Sequence, residues 1–211
     1  MLKHKKTLIV TTLILLLPML VGLLLWKRLP EQLPIHWDAA GDIDGWASRP
    51  IVVFGLPGIM LAVHWLGVLV TNADPKKRNQ ADKLQLLVLW ICPVLSVLLM
   101  GITYGTAMGM AFRVEAILPA VIGIVFVIIG NYMPKCKQNY TIGIKLPWTL
   151  DSEENWNKTH RLAGFIWVIC GILMVIAALF SVAIWLLLPV ALVMVAVPIL
   201  YSYWLHRRSG Q

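Results

Sequence analysis

Charge is scarce in this chain. Of 211 residues only 13% are Asp, Glu, Lys or Arg, 59% are hydrophobic, and mean hydropathy is +0.79. A soluble domain carries about twice that charged fraction. Cysteine is scarce too: Cys92, Cys136 and Cys170 form no C-x-x-C pair. They support neither a disulfide framework nor a zinc site, and Cys92 and Cys170, inside apolar runs, read as small hydrophobes. The sequence also has no H-E-x-x-H helix, no G-x-S-x-G elbow and no paired intramembrane aspartates. The usual sequence signs of a hydrolytic site are therefore missing.

What the chain has instead is long apolar runs. Leu8–Trp26, Ile51–Thr71, Leu84–Thr106, Ala116–Met133, Leu162–Phe180 and Ala183–Trp204 each span 18 to 23 residues, and about 20 residues cross a hydrocarbon core of roughly 30 Å. Residues 162–204 carry no charge and show only a weak break near Ser181. One helix of that length, at ~1.5 Å per residue, would be ~65 Å long, about twice the bilayer. Two helices with a tight turn are expected. The first run follows Lys3, His4, Lys5 and Lys6 and is followed by Lys27, Arg28, Leu29 and Pro30 rather than a small-residue cleavage site. It reads as an uncleaved helix. The expected fold is an all-α polytopic membrane bundle of six transmembrane helices.

Six spans put both termini on one side. With the termini inside, 14 Lys and Arg residues fall on the inner side and four, Lys27, Arg28, Arg49 and Arg113, on the outer side. The bias places both termini in the cytoplasm of a multi-pass cell-membrane protein. The net charge of +8 thus sits in orientation signals between apolar runs, and no direct nucleic-acid partner is expected. The division that follows is a two-span region, 1–80, with an extracytoplasmic loop at 27–50, and a four-span region, 81–211, with a cytoplasmic loop at 134–161. Gly101, Gly105 and Gly109 form two overlapping G-x-x-x-G units that suit close helix packing, within the chain or in a homodimer. Pro57, Pro93, Pro119, Pro189 and Pro198 lie within spans and are tolerated where neighbouring groups serve the freed carbonyls. His64, within the second span, is an intramembrane ionisable group, and a neutral imidazole bonded to a backbone carbonyl accounts for it.

Function is sought in the two long polar segments. In 27–50, Pro30 and Pro34 disfavour helix and the Gly and Asp residues favour turns, while Trp37 and Trp46 can anchor the loop among headgroups. His36 with Asp38, Asp42 and Asp44 are candidate metal ligands. Asp42-x-Asp44-Gly45 echoes part of a calcium loop but lacks the later bidentate acid. In 131–161, Thr149 or Asp151 can cap a short helix with Glu153 and Glu154 in its first turn, running on into span five. On that helix Asn155, Thr159 and Leu162 share a face, as do Trp156 and His160. Asn131, where span four ends, needs a partner for its amide. Lys145, His160 and Arg161 can hold an anionic group such as a lipid phosphate.

Together the two segments resemble a family pattern. Leu33–Arg49 resembles the extracytoplasmic motif of an uncharacterised bacterial membrane domain. Gly130-Asn131, Asn139, Gly143, Lys145, Pro147-Trp148-Thr149, Trp156, Thr159-His160-Arg161 and Gly164 resemble the signature of the SdpI family, immunity proteins against the sporulation-delaying peptide toxin. Lys145 stands where the family more often has arginine, which keeps the charge but loses the bidentate fork. The resemblance implies a bacterial membrane protein that protects against an antimicrobial peptide met from outside. It also implies signalling by sequestering a cytoplasmic helix-turn-helix repressor. The ligand- and partner-binding candidates are His36, Trp37, Trp46, Asn131, Asn139, Lys145, Trp148, Thr149, Trp156, His160 and Arg161. No catalytic residue is assigned and no cofactor is required. The alternatives are a metal-dependent membrane hydrolase using His36 and its neighbouring aspartates, and a small lipid or peptide transporter. His36 and His160 are expected on opposite faces, which argues against one joint site, and no inverted repeat is evident.

Overall fold

A computed structural model describes residues 4–80, 82–180 and 187–208. Six helices among them are long and apolar enough to cross a membrane: α1 (Lys5–Leu24), α2 (Leu56–Ala73), extended at its start by a π-turn over Ile51–Gly55, α3 (Asp82–Ala107), α4 (Val114–Tyr132), α6 (Glu153–Leu179) and α7 (Leu187–Arg208). A seventh, α5 (Pro147–Asp151), is a single short helix. The protein is a multi-pass membrane protein. The turn expected near Ser181, and the expected start of the last span at Ala183, lie outside the described residues.

The described residues form two compact units, one of 1–72 with 85–114 and one of 73–84 with 115–211. In the first, α1, α2 and α3 pack through Leu8, Val68 and Leu89. Inside this packing His64 Nε2 lies 3.3 Å from Thr11 Oγ1, whose own proton goes to the Leu8 carbonyl. The partner of His64 is therefore a hydroxyl on α1, where a backbone carbonyl was expected, and the ring must be the Nε2–H tautomer to donate to it. A second core gathers Leu29, Leu33, Val52, Val53, Met100 and Tyr104, with Tyr104 Oη donating to the Pro18 carbonyl.

Residues 27–50, expected as a turn-rich loop, form a hairpin. β1 (Gln32–Trp37) pairs antiparallel with β2 (Ile43–Ser48), with irregular register around His36. Both strands of a two-stranded sheet are edges, where a proline such as Pro34 is tolerated.

In the second unit α6 lies along α7, and α4 crosses α6 at two glycine pairs. A Cβ on Gly123 would sit 2.6 Å from the Gly171 carbonyl oxygen, and one on Gly164 would sit 2.6 Å from that of Gly130. Each pair is seven residues from the next on its own helix, so the four glycines form one seam where two backbones touch. The G-x-x-x-G run of α3 is different. Gly109 lies past the end of the helix, Gly105 abuts Phe112 and Met110, and a Cβ on Gly101 would meet nothing within 4 Å among the described residues.

Candidate functional site

The hairpin is fixed at its base and free at its tip. Arg49 follows β2 directly and turns back on the chain leaving α1. Its Nη1 donates to the carbonyls of Trp26 and Leu29 at 2.7 and 2.8 Å, and its guanidinium lies over the Trp26 ring. The arginine thus serves carbonyls that no helix turn satisfies. Leu33 of β1 is fully buried, in the core with Leu29, Val52 and Val53. At the far end Asp38 Oδ1 accepts from the amides of Ala40 and Asp42, an Asx turn closing the loop. His36 Nδ1 and Asp44 Oδ1 pair at 2.5 Å across the strands, both well exposed. Trp46 is 54% exposed. The four candidate metal ligands do not converge: Asp38 serves the turn, and among the described residues no three His, Cys, Asp or Glu side chains gather to hold a metal.

The second polar segment is built inward. Asn139, fully buried, accepts on Oδ1 from the amides of Thr141 and Ile142 and donates from Nδ2 to the carbonyls of Lys137 and Ile142. One amide side chain folds the loop about itself and leaves no valence for a ligand. Gln138 Nε2 donates to the carbonyls of Thr149 and Leu150 in α5. Thr149 Oγ1 accepts from the Leu146 amide, so it serves the start of α5. The cap of α6 is Ser152, accepting from the Asn155 amide, where Thr149 or Asp151 was expected. α6 runs from there without a break into the span, as its sequence pattern implies.

The rings of Trp156 and His160 stack at a centroid distance of 4.0 Å, one helical turn apart. Trp156 Nε1 donates to the Cys136 carbonyl. His160 Nε2 accepts from the Ile144 amide, and Nδ1 faces the Trp156 carbonyl. Only a neutral ring with its proton on Nδ1 makes both bonds. His160 is buried and saturated, so it does not join Lys145 and Arg161 in a cationic site. Both of those are exposed. Gly143 crosses directly over the stacked pair with φ +127°, and a Cβ there would overlap His160 Nε2 and the Trp156 ring. Cys136, buried in the same loop, has its thiol pushed up to about 11 by burial, with a hydrogen bond from Asn139 working the other way.

α5 is tied to α6 and α7 by a polar knot. Trp148 Nε1 donates to Ser202 Oγ at 2.6 Å, Ser202 Oγ donates to Asn155 Oδ1, Asn155 Nδ2 donates to the Ser202 carbonyl, and Thr159 Oγ1 donates to Asn155 Oδ1. The shared face of Asn155 and Thr159 is real, and its purpose is this junction. Asn131, by contrast, lies exposed on α4. Trp37 is half-buried at the end of β1.

Sequence reasoning missed Asp74, whose only early sign is the turn-forming Asp74-Pro75 pair. It is buried and accepts from Thr141 Oγ1, the amides of Tyr140 and Lys76, and Gln80 Nε2. Burial works to raise its carboxyl, but these four donors outweigh it and hold the group below the usual range. Lys76 Nζ reaches Gln138 Oε1, and Asn79 Nδ2 donates to the Gln138 carbonyl. The 74–80 segment is thereby clasped to the 138–141 loop. Ser202 was missed as well, because it stands in a charge-free run with no local signal.

Residues 135–202, which hold most of this network, match the SdpI/YfhL protein family, and residues 13–61, which include β1 and β2, match a domain of unknown function, DUF1648. Immunity protein SdpI of Bacillus subtilis (strain 168) is 27% identical over 206 residues, 95% of this chain and 96% of that protein. No solved structure matches.

Proposed function

We propose, for a multi-pass membrane protein whose residues 135–202 match the SdpI/YfhL family, a role in immunity: it protects the membrane that carries it from a peptide toxin. The observation that carries this reading is the end-to-end similarity to a protein named for immunity, through both polar segments in the same order. In this reading both termini are cytoplasmic, a sidedness supported by the 14-to-4 distribution of Lys and Arg. The hairpin meets the toxin from outside, with Trp46 and Ile35 offering apolar contact next to the His36–Asp44 pair. Toxin binding signals by shifting the 134–161 segment towards a state that holds a cytoplasmic helix-turn-helix repressor. Such a shift requires the toxin to prefer one of the two states.

Expression in a toxin-sensitive strain tests the role, with membrane levels measured in parallel. Survival should rise above that of cells with an empty vector. Full membrane levels without protection against any of a panel of membrane-active peptides would sink the reading. Sidedness is tested by impermeant thiol labelling of Ala40→Cys and Glu153→Cys in a background free of other cysteines. Intact cells should label the first and not the second.

A further inference from the structure

The glycine seam between α4 and α6 has a second consequence at the end of α4. A Cβ on Gly164 would lie 2.8 Å from Pro134 Cδ, so the absence of a side chain there lets Pro134 rest against α6. Beside this contact opens a cleft of about 390 Å³ lined by Pro134, Asn157, Lys158 and Arg161. That volume lies within the roughly 300–1,000 Å³ of small-ligand sites. Asn157 and Arg161 are one turn apart and Lys158 flanks them, so all three face one side of α6. The set is rich in donors: a guanidinium fork, an ammonium and an amide. Lys158 is held by Glu154 through an exposed pair at 2.5 Å, whereas Arg161 is exposed and has no carboxylate partner among the described residues.

A planar fork with a point charge beside it matches the oxygens of a phosphate group. We infer that this cleft binds phosphate, either as the headgroup of an anionic phospholipid or as a free ion. The lipid source fits the position. The cleft lies where the apolar run of α4 ends, beside Tyr132 with Lys135 over its ring, and basic groups at such a boundary attract anionic lipid. This inference does not depend on the immunity role.

The test uses the full chain, purified and delipidated. Phosphatidylglycerol, phosphatidylcholine and inorganic phosphate are added separately, and thermal stabilisation and lipid retention by native mass spectrometry are read. Stabilisation by phosphatidylglycerol but not by inorganic phosphate assigns the lipid; stabilisation by inorganic phosphate alone assigns the free ion. In either case Arg161→Gln should weaken binding about tenfold, the usual size of one lost charged contact, and Arg161→Lys should recover part of it. Glu154→Gln, which frees Lys158 and removes a nearby negative charge, should strengthen binding. Equal stabilisation of wild type, Arg161→Gln and Glu154→Gln, all monodisperse, would overturn the inference, as would an equal response to phosphatidylcholine.

Discussion

The hairpin and the 136–160 segment use similar residues, Trp, His, Asp or Asn, and Gly, for opposite ends. In the hairpin His36, Asp44 and Trp46 point outward from a scaffold held by Arg49 and Leu33. In the second segment Asn139, Thr149, Trp156 and His160 are all 0–1% exposed, and most hydrogen bonds of their polar atoms go to the protein's own backbone, with Thr141 and Cys136 side chains adding to those of Asn139. A buried polar group without a partner is costly, so in a protein with few polar residues the available ones are used to close loops. A motif of polar residues thus forms an exposed surface in one region and an internal joint in the other. The exposed charges in and beside the second region include Lys145, Glu154, Lys158 and Arg161.

The sharpest break in this contrast is Gly143→Ala. The positive φ and the overlap with His160 and Trp156 should lower unfolding free energy by roughly 3 kcal/mol, read as a fall in midpoint for the detergent-solubilised protein. A midpoint equal to wild type would mean that the loop does not lie over the stacked rings.

Next in size is the glycine seam, tested against the glycines of α3. Gly123→Ala should destabilise by about 1–3 kcal/mol, because its Cβ meets backbone that cannot turn aside. Gly101→Ala, in open space on a helix, should be neutral or stabilising by up to about 1 kcal/mol. The reverse order would make α3 the packing helix.

Asp74 sharpens the contrast through pH. Its folded carboxyl lies below the ordinary range. Its contribution to stability is therefore complete above the unfolded pKa, about 3.9, and is lost as pH falls through the folded value. Asp74→Asn should be less stable than wild type at neutral pH, with the gap closing in acid below that window. Melting curves across pH decide it, and a gap independent of pH would place the carboxylate outside the clasp.

The smallest effect on stability belongs to the hairpin pair. His36→Ala and Asp44→Ala should each change it by less than about 1 kcal/mol, as for exposed ion pairs generally. Trp46→Ala should leave the fold intact yet reduce protection, since aromatic anchors carry much of a binding surface's energy. A large loss of stability in any of these three would move the hairpin into the same class as the second segment.

Much of the fold was legible in the sequence. The six spans needed only run length and charge, and the join of 153–161 to span five needed only cap chemistry and the absence of a breaker. The hairpin's strands were not legible, because Pro30 and Pro34 argue only against helix, the Gly and Asp residues read as turns, and the hairpin is anchored by a core of distant residues. The glycine seam was half-visible: Gly130 and Gly164 stood in the family signature, but nothing marked Gly123 and Gly171 as their companions.

The sequence by itself determined that this chain crosses a membrane and where, because transfer into lipid depends on the composition of each run and needs no knowledge of its neighbours. Only the tertiary structure decided which polar residues are available. Asp74 meets Thr141 across 67 positions and Trp148 meets Ser202 across 54. A hydrogen bond depends on angstrom-scale placement of both partners, which no local pattern encodes. The same residue types therefore became an exposed pair on the hairpin and a closed network behind Gly143.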